Sequence, residues 1–494
     1  MASEYAPGTP SGTGGPAGAR AAEDSCGDGR KTPAAAAGSV PCALEASRKS
    51  PSGPAGVPEP PAGPEAAPQP AAKEAPAPPS CAENGPGADP EPGGETVHGG
   101  EPGVCGMKAE AGGIPRKAGK NGKRRLVRML LLIVGVVAGL AVLSVCGGSL
   151  YLRSARFGAL PQGERLARIE RSPNWRDGEF RNLEPARDTS AESPRGRFDF
   201  FFRGDRTAPK DPLPVVETDL KNLPDGEFVW FGHSNFLIVL GGRTFLVDPV
   251  FAGGISPIPF AVKTYGGTHS YGPEDLPDRI DYVLLSHDHH DHVDHKTLKA
   301  IMPRVGKVVC GLGVGAHLER WGYPPEKIVE GDWGDVFEPE EGVRIAVETA
   351  RHFSGRGLKW NQSLWASFVV EAGGKRLFYS GDGGYGRHFA ALGTKWGGFD
   401  LAFLEDGQYD LGWRDIHLSP EETVQAALDL NAKGTVPVHN SKYSISYHDW
   451  DDPLVRARKA ARDRGVNLMT PLMGERVKVA GEDREFPAWW EGRE

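Results

Sequence analysis

Cysteine is scarce in this chain of 494 residues, and most of it is badly placed for structure. Four of the six cysteines, Cys26, Cys42, Cys81 and Cys105, fall in the first 125 residues, Cys146 sits in an apolar run, and Cys310 alone is left for the folded region. One cysteine cannot close an intradomain disulfide, and no C-x-x-C pair occurs. A disulfide framework and a cysteine-built zinc site are therefore both excluded. Aromatics are nearly missing from the start of the chain, where Tyr5 is the only one before Tyr151. Residues 1–125 are dominated by Gly, Pro, Ala and Glu, which cannot bury enough apolar surface to offset chain entropy. They are expected to form a disordered tail of low complexity, without a fixed repeat. The region after residue 155 also lacks a long basic run. With 57 Lys and Arg against 65 Asp and Glu, and a net charge of −8, the composition argues against a nucleic-acid partner.

One long hydrophobic run is present. Met129 to Leu152 carries no charge over 24 residues, which at helical rise spans a bilayer core. Its glycines are tolerated in membrane helices. Arg116, Lys117, Lys120, Lys123, Arg124, Arg125 and Arg128 precede it, whereas only Arg153, Arg156 and Arg165 lie within a comparable stretch after it. Residues 126–152 are thus expected to be a single-pass signal anchor, with the basic cluster near anionic headgroups on the cytoplasmic side. The domain that follows, 153–494, is then expected to be extracytoplasmic, and periplasmic if the source is bacterial; a cytoplasmic-facing domain is the alternative, since Arg168 and Arg171 follow soon after. A cleaved signal peptide is the rival reading; the run is long for one, and no A-x-A site stands out.

The most informative segment is His287-Asp-His-His-Asp-His292, directly behind the apolar run Asp281–Ser286. His287, His289, Asp291 and His292 fit the pattern H-x-H-x-D-H. A strand ending in such a loop can aim the first pair at one ion and the second pair at another, and imidazole with carboxylate suits zinc. Taken alone, a His-rich polar loop could also bind metal adventitiously. Three further candidates follow strand-like segments: His352 after Val343–Thr349, Asp382 after Arg376–Ser380, and His439 after Thr435–Val438. Four strands that each end in a ligand can complete two sites.

These residues resemble the metallo-β-lactamase superfamily over roughly residues 155–480. Within it the chain looks most like the branch of N-acylphosphatidylethanolamine-hydrolysing phospholipase D and the sugar-phosphate lactonases. The narrower match is carried by Trp230-Phe-Gly-His-Ser234, Asp248-Pro249, the Ser286–Asp294 loop, Arg351-His-Phe353 and Leu364-Trp-Ala-Ser367. Gly381-Asp-Gly-Gly-Tyr385, His417 with Pro420-Glu-Glu422, and Pro437-Val-His439 complete it. The resemblance implies one zinc on His287, His289, His352 and Asp382, and a second on Asp291, His292, Asp382 and His439, with Asp382 bridging. A related di-iron branch carries Glu where this chain has His289, which favours zinc hydrolysis over oxygen or nitric oxide reduction. Two segments depart from the phospholipases. His439-Asn-Ser-Lys-Tyr443 stands where they have Trp-Gly, and Leu404–Tyr409 replaces a Pro-Ile-Gly-Ala-Tyr-like stretch, so the substrate carries over less well than the chemistry.

The implied fold is a four-layer αβ/βα sandwich, and the local pattern agrees. Glu227–Phe231, Asn235–Leu240 and Thr244–Val247 read as strands, the last two joined at Gly241-Gly242. Lys296–Met302 reads as a helix, and Ser419-Pro-Glu-Glu422 as a capping box opening a helix that runs to Ala432 and closes at Gly434. Gly311–Gly315 lacks G-x-G-x-x-G spacing and reads as a turn. Two Zn2+ roughly 3.5–4 Å apart would activate a shared water. The catalytic candidates are Asp291, His417 and His233. His417, just before a helix N-terminus, either acts at a phosphate or leaving group or merely supports the cap. His233 either faces substrate or holds a turn. Asp248 is expected to orient a ligand or close a turn rather than touch metal. His269, His290, His295, His388 and His448 are expected to be solvated. A small-molecule or lipid phosphodiester is the first substrate reading and a lactone or other ester the second; a non-catalytic, membrane-tethered metal-binding module is the alternative from another class.

Overall fold

The computed structural model describes residues 120–187, 189–193, 204–251, 255–258, 261–482 and 484–493. The expected tail lies outside the described residues up to residue 119. Its last six residues belong to helix α1 (Lys120–Leu152), which therefore starts ahead of residue 126, because Lys and Arg sustain a helix about as well as Leu does. Over Asn121–Leu152, α1 is long and apolar enough to cross a membrane, and its apolar stretch is not buried against the protein. A short helix α2 (Gly163–Ile169) and a hairpin of β1 (Trp175–Arg176) and β2 (Glu179–Phe180) follow.

Two sheets make the body of the domain. The first contains β3 (Glu227–Trp230), β4 (Phe236–Leu240), β5 (Arg243–Val247), β7 (Ile280–Leu285), β8 (Val305–Gly311) and β9 (Ile328–Gly331), with β17 (Arg476–Lys478) returning to pair with β3. Between them, β6 (Lys263–Thr264) pairs with β16 (Tyr443–Ser444) as a separate ribbon. The second sheet runs in chain order: β10 (Val336–Glu340), β11 (Val343–Glu348), β12 (Ser367–Ala372), β13 (Lys375–Tyr379), β14 (Leu401–Glu405) and β15 (Thr435–Val438). Pairs β5–β7–β8–β9 and β13–β14–β15 are parallel, and parallel neighbours need crossovers over a face. Those crossovers carry α3 (His295–Ile301), α4 (Gly315–Arg320), α5 (His388–Trp396) and α6 (Pro420–Asp429), with α7 (Asp452–Arg464) following β16.

Period-two alternation sorts the side chains into layers. In β4, Phe236, Ile238 and Leu240 enter a core shared by both sheets, while Leu237 turns outward to the cluster holding Leu298 of α3 and Leu318 of α4. In β12 and β14, Phe368, Val370, Leu401 and Phe403 point inward, while Val369, Ala402 and Leu404 meet Leu392 of α5 and Ala427 of α6. Phe236 stacks on Phe403 across the interior at 4.0 Å and 7°. The order helix, sheet, sheet, helix follows.

Local expectations hold with small shifts. Gly241 and Gly242 join β4 to β5 with φ of 61° and 69°; a Cβ on Gly241 would lie 2.7 Å from the Gly373 nitrogen of the neighbouring hairpin. The Ser419 amide donates to Glu422 Oε2 at 2.9 Å, as a capping box requires. Helix α6 ends at Asp429 instead of Ala432, because Asn431 takes a left-handed φ of 53° before Gly434 is reached.

Candidate metal centre

Strands β11, β13 and β15 of the second sheet run in one direction, and each of them, like β7 of the first sheet, is followed by expected ligands. The donor atoms of His287, His289 and His352 lie within 4.8 Å of one another, as do those of Asp291, His292 and His439 together with His233. Asp382 belongs to both neighbourhoods. Its Oδ2 is 3.1 Å from His292 Nε2, 3.8 Å from His287 Nε2 and 3.9 Å from His352 Nε2, and its Oδ1 is 3.2 Å from His439 Nδ1. All seven expected ligands converge.

The chemistry of this donor set fits divalent metal. Burial holds His287, His352 and His439 well below the usual imidazole range, which favours neutral rings with a lone pair open to a cation. Yet His287 Nε2 lies 2.8 Å from His289 Nδ1, and His352 Nε2 lies 3.3 Å from the same atom. His292 Nε2 and Asp382 Oδ1 are buried and make no well-aligned hydrogen bond, only the 3.1 and 3.2 Å contacts given above, and a cation would satisfy both. Two rings are turned inward by their other nitrogen: His352 Nδ1 donates to the Ile416 carbonyl at 2.9 Å and His292 Nδ1 to Asp248 at 2.7 Å. Burial pushes the Asp382 carboxyl up to about 7, a shift that a nearby dication reverses. Burial also acts upward on Asp291, but His292 and His233 outweigh it and hold Asp291 well below the usual carboxylate range.

The supporting residues are more numerous than the sequence suggested. Asp248 accepts from His292 Nδ1, Ser286 and Tyr379, on the side of the His292 ring away from the Nε2 that faces Asp382. His233 is 1% exposed, and its Nε2 lies 3.0 Å from Asp291 Oδ2; of its two expected roles, the site provides partners for the structural one. Asp248, His233 and His439 all have positive φ, at 39°, 55° and 69°, so backbone strain of order 1–3 kcal/mol each is stored at the site. His417 is half-buried, pairs through Nδ1 with Glu405, and stands 5.1 Å ring to ring from His352. It also lines a 430 Å³ pocket with Tyr409, Arg414, Tyr447 and Arg456.

Sequence reasoning assigned no role to Glu405. Its signal was available, since it ends the apolar strand β14 as the ligands follow theirs. It also missed Asp288, which accepts from Gly355 N and Ser363 Oγ at 2.7 and 2.9 Å and meets His317 Nε2 at 3.2 Å. These contacts fix the peptide between His287 and His289. Among the histidines expected to be solvated, His269 is exposed, whereas His290, His295, His388 and His448 are half-buried. His290 is drawn in by Arg356, and His448 accepts from the Gln408 amide; such tertiary partners leave no local pattern.

The family model described as "Beta-lactamase superfamily domain" matches residues 243–440, which hold all seven expected ligands. The chain is 36% identical over 381 residues to an uncharacterized protein of Mycobacterium tuberculosis, covering 74% of this chain and 99% of that one. The chain belongs to the metallo-β-lactamase superfamily. It is 31% identical over 290 residues to N-acyl-phosphatidylethanolamine-hydrolyzing phospholipase D 1 of Caenorhabditis elegans, covering 53% of this chain and 79% of the relative. Over 97 residues it is 55% identical to the outer membrane protein RomA of Klebsiella pneumoniae, 20% of this chain and 74% of the relative. Within the metallo-β-lactamase superfamily, the chain is a metal-dependent hydrolase.

Proposed function

We propose that this chain is a binuclear zinc phosphodiesterase of the phospholipase D type that acts on a lipid phosphodiester. The observation that carries the reading is Asp382, whose carboxylate lies among imidazoles of both groups, with Oδ2 3.8 and 3.9 Å from His287 and His352 and 3.1 Å from His292, and Oδ1 3.2 Å from His439. Likeness to a phospholipase D over 79% of that relative's length supports the substrate class.

In this reading His287, His289, His352 and Asp382 hold one ion, and Asp291, His292, Asp382 and His439 hold the other. When bound, a zinc pair supplies an electrophile for the phosphoryl oxygens and a water acidic enough to ionise near neutral pH. The chain's own side chains do the rest. His233 positions Asp291 from a buried site. His417 keeps Nδ1 on Glu405, whose carboxyl burial pushes well above its usual range, and the pair can present a proton to a leaving alkoxide. The 430 Å³ pocket beside His417 has the size of a small-molecule site and accepts the leaving group, with Arg414 and Arg456 on its wall to meet an anionic portion. Helix α1 anchors the enzyme as a single span, with the catalytic domain outside the cytoplasm; the basic flank of α1 supports that orientation, and the name of the RomA relative is consistent with an envelope protein.

The test is turnover by the purified full chain of diacyl phospholipids, cyclic nucleotides and lactones, before and after chelation. Release of a phosphatidic acid product that stops on chelation and returns with zinc is expected. Turnover of lactones alone would replace the phosphodiester reading.

A further inference from the structure

We propose that the surface around residues 357–360 docks onto the same bilayer that holds α1, so that the metal face meets lipid directly. The inference rests on the reading of α1 as a membrane span.

Helix α1 does not leave the domain on a free tether. The Trp321 indole donates to the Ala155 carbonyl at 2.7 Å, Arg320 to Arg153 O at 2.7 Å, and Arg356 Nη2 to Arg156 O at 2.7 Å. Tyr151 and Arg156 both donate to the Pro257 carbonyl. The attachment lies on the metal-loop side, where the Phe157 ring sits edge-on to His290 at 5.8 Å. Leu152, the last residue of α1, lines a 250 Å³ cavity together with Leu358 and with Asp288, the residue between ligands His287 and His289. The end of the helix, the loop and the ligand loop are therefore neighbours.

That loop is unusually apolar for an exposed one. Leu358 is 80% exposed, more than any other large apolar side chain among the described residues, and Trp360 is 56% exposed. The Trp360 ring is held, not loose: it stacks on Phe353 at 5.3 Å and 21°, and Phe353 packs against His289 and His352 at 4.5 and 4.6 Å. A rigid aromatic ring with one face packed and one free suits the boundary between headgroups and acyl chains. Exposed Lys359, between the two, suits anionic headgroups. The far ends of the second sheet's strands differ in character. There a 680 Å³ groove is lined by Glu338, Glu341, Glu371, Lys375, Arg376 and Lys433. Apolar exposure beside the ligands and charge at the opposite end give the domain a lipid-facing side. A lipid phosphodiester then reaches the ligands from the bilayer surface, past Trp360 and Phe353.

The test uses the full chain in nanodiscs of phosphatidylcholine and phosphatidylglycerol, with exposed cysteines replaced by serine and a polarity-sensitive fluorophore on one introduced cysteine. Leu358→Cys is expected to give blue-shifted emission quenched by lipids that carry a shallow nitroxide. Leu140→Cys, within α1, is expected to be quenched by a deep nitroxide. Lys433→Cys, with a side chain 77% exposed at the far end, is expected to emit as in water. Quenching at 140 without quenching at 358 overturns the docking surface and leaves the span intact. Absence of quenching at 140 overturns both, and quenching at 433 as strong as at 358 overturns the choice of face. A signal at 358 that is blue-shifted but insensitive to nitroxide lipids means contact with protein, such as a second copy, and likewise overturns it.

Discussion

Asp248 Oδ2 accepts the Nδ1 proton of His292 at 2.7 Å, with both residues fully buried. The same carboxylate accepts from Ser286 N at 2.8 Å, Ser286 Oγ at 2.5 Å and the Tyr379 hydroxyl at 2.5 Å. Four donors converge on one side chain, and the bond from His292 Nδ1 leaves Nε2 of that ring to face Asp382. Asp248→Asn replaces an acceptor oxygen by a donor. Metal affinity of the Asp291, His292 and His439 group is expected to fall ~10–100-fold, the range typical of lost orienting partners. Competition with a zinc chelator, read by mass spectrometry of metal content, checks it. Unchanged affinity would mean that packing alone orients His292.

Asp382 and His439 should separate by stoichiometry. Asp382→Ala is expected to lose both ions and all measurable turnover, because a shared ligand serves both groups, whereas His439→Ala is expected to keep the ion on the His287 group. Elemental analysis of each purified variant decides. One metal per wild-type chain, or iron as its main species, would reject the zinc pair.

These two predictions concern residues that could be read from the sequence, and the reason is local. A candidate ligand that follows a strand within a few residues leaves two signals together, a period-two apolar run and a His or Asp behind it, and His287, His352, Asp382 and His439 all carry both. Layer order was legible for the same reason, since Phe236 and Leu237 differ in facing through strand periodicity alone. Asp288 and His317 were not legible. Their pairing spans 29 residues and depends on how the α4 turn folds back on the metal loop, which no local pattern records. The half-burial of His290 likewise comes from Arg356, 66 residues away.

Topology gives a third test. If the basic flank of α1 stays in the cytoplasm, protease added to intact spheroplasts of a Gram-negative host should digest the domain from residue 153 onward. It should spare an epitope tag placed at residue 1. Protection of the domain with loss of the tag would reverse the orientation.

Glu340 offers a pH test outside the candidate metal centre. Arg243, bonded to it at 2.5 and 2.7 Å, and the Tyr282 hydroxyl at 2.5 Å hold its carboxyl down to about 2. A pKa lowered on folding contributes stability that is present above the unfolded value, near 4.3 for Glu. That stability is lost as pH falls toward the folded value. The Tm difference between wild type and Glu340→Gln is therefore expected to be steady above pH ~5 and to shrink between pH ~4 and ~2. Arg243 and Glu340 are more than a third and about a third exposed, so salt should weaken the difference at every pH. A difference independent of pH would leave only the loss of hydrogen-bond geometry as its cause.

His417 bears on the substrate. It pairs with Glu405 through Nδ1, it lines a pocket with Tyr409 and Arg456, and its ring stands 5.1 Å from that of His352. Those three facts suit a proton donor better than a metal ligand. His417→Ala is expected to keep the wild-type zinc content and to lower kcat/KM by ~10²–10⁴ for a phospholipid whose leaving alkoxide needs a proton. With a nitrophenyl phosphodiester the loss should be much smaller, because nitrophenolate departs without one. Glu405→Gln should follow the same leaving-group pattern, with a smaller loss, since it acts through His417. Equal losses on good and poor leaving groups would reduce His417 to binding phosphate or supporting the α6 cap. Loss of zinc in His417→Ala would instead move it into the ligand set, where its closeness to Asp382 and His352 allows it to serve.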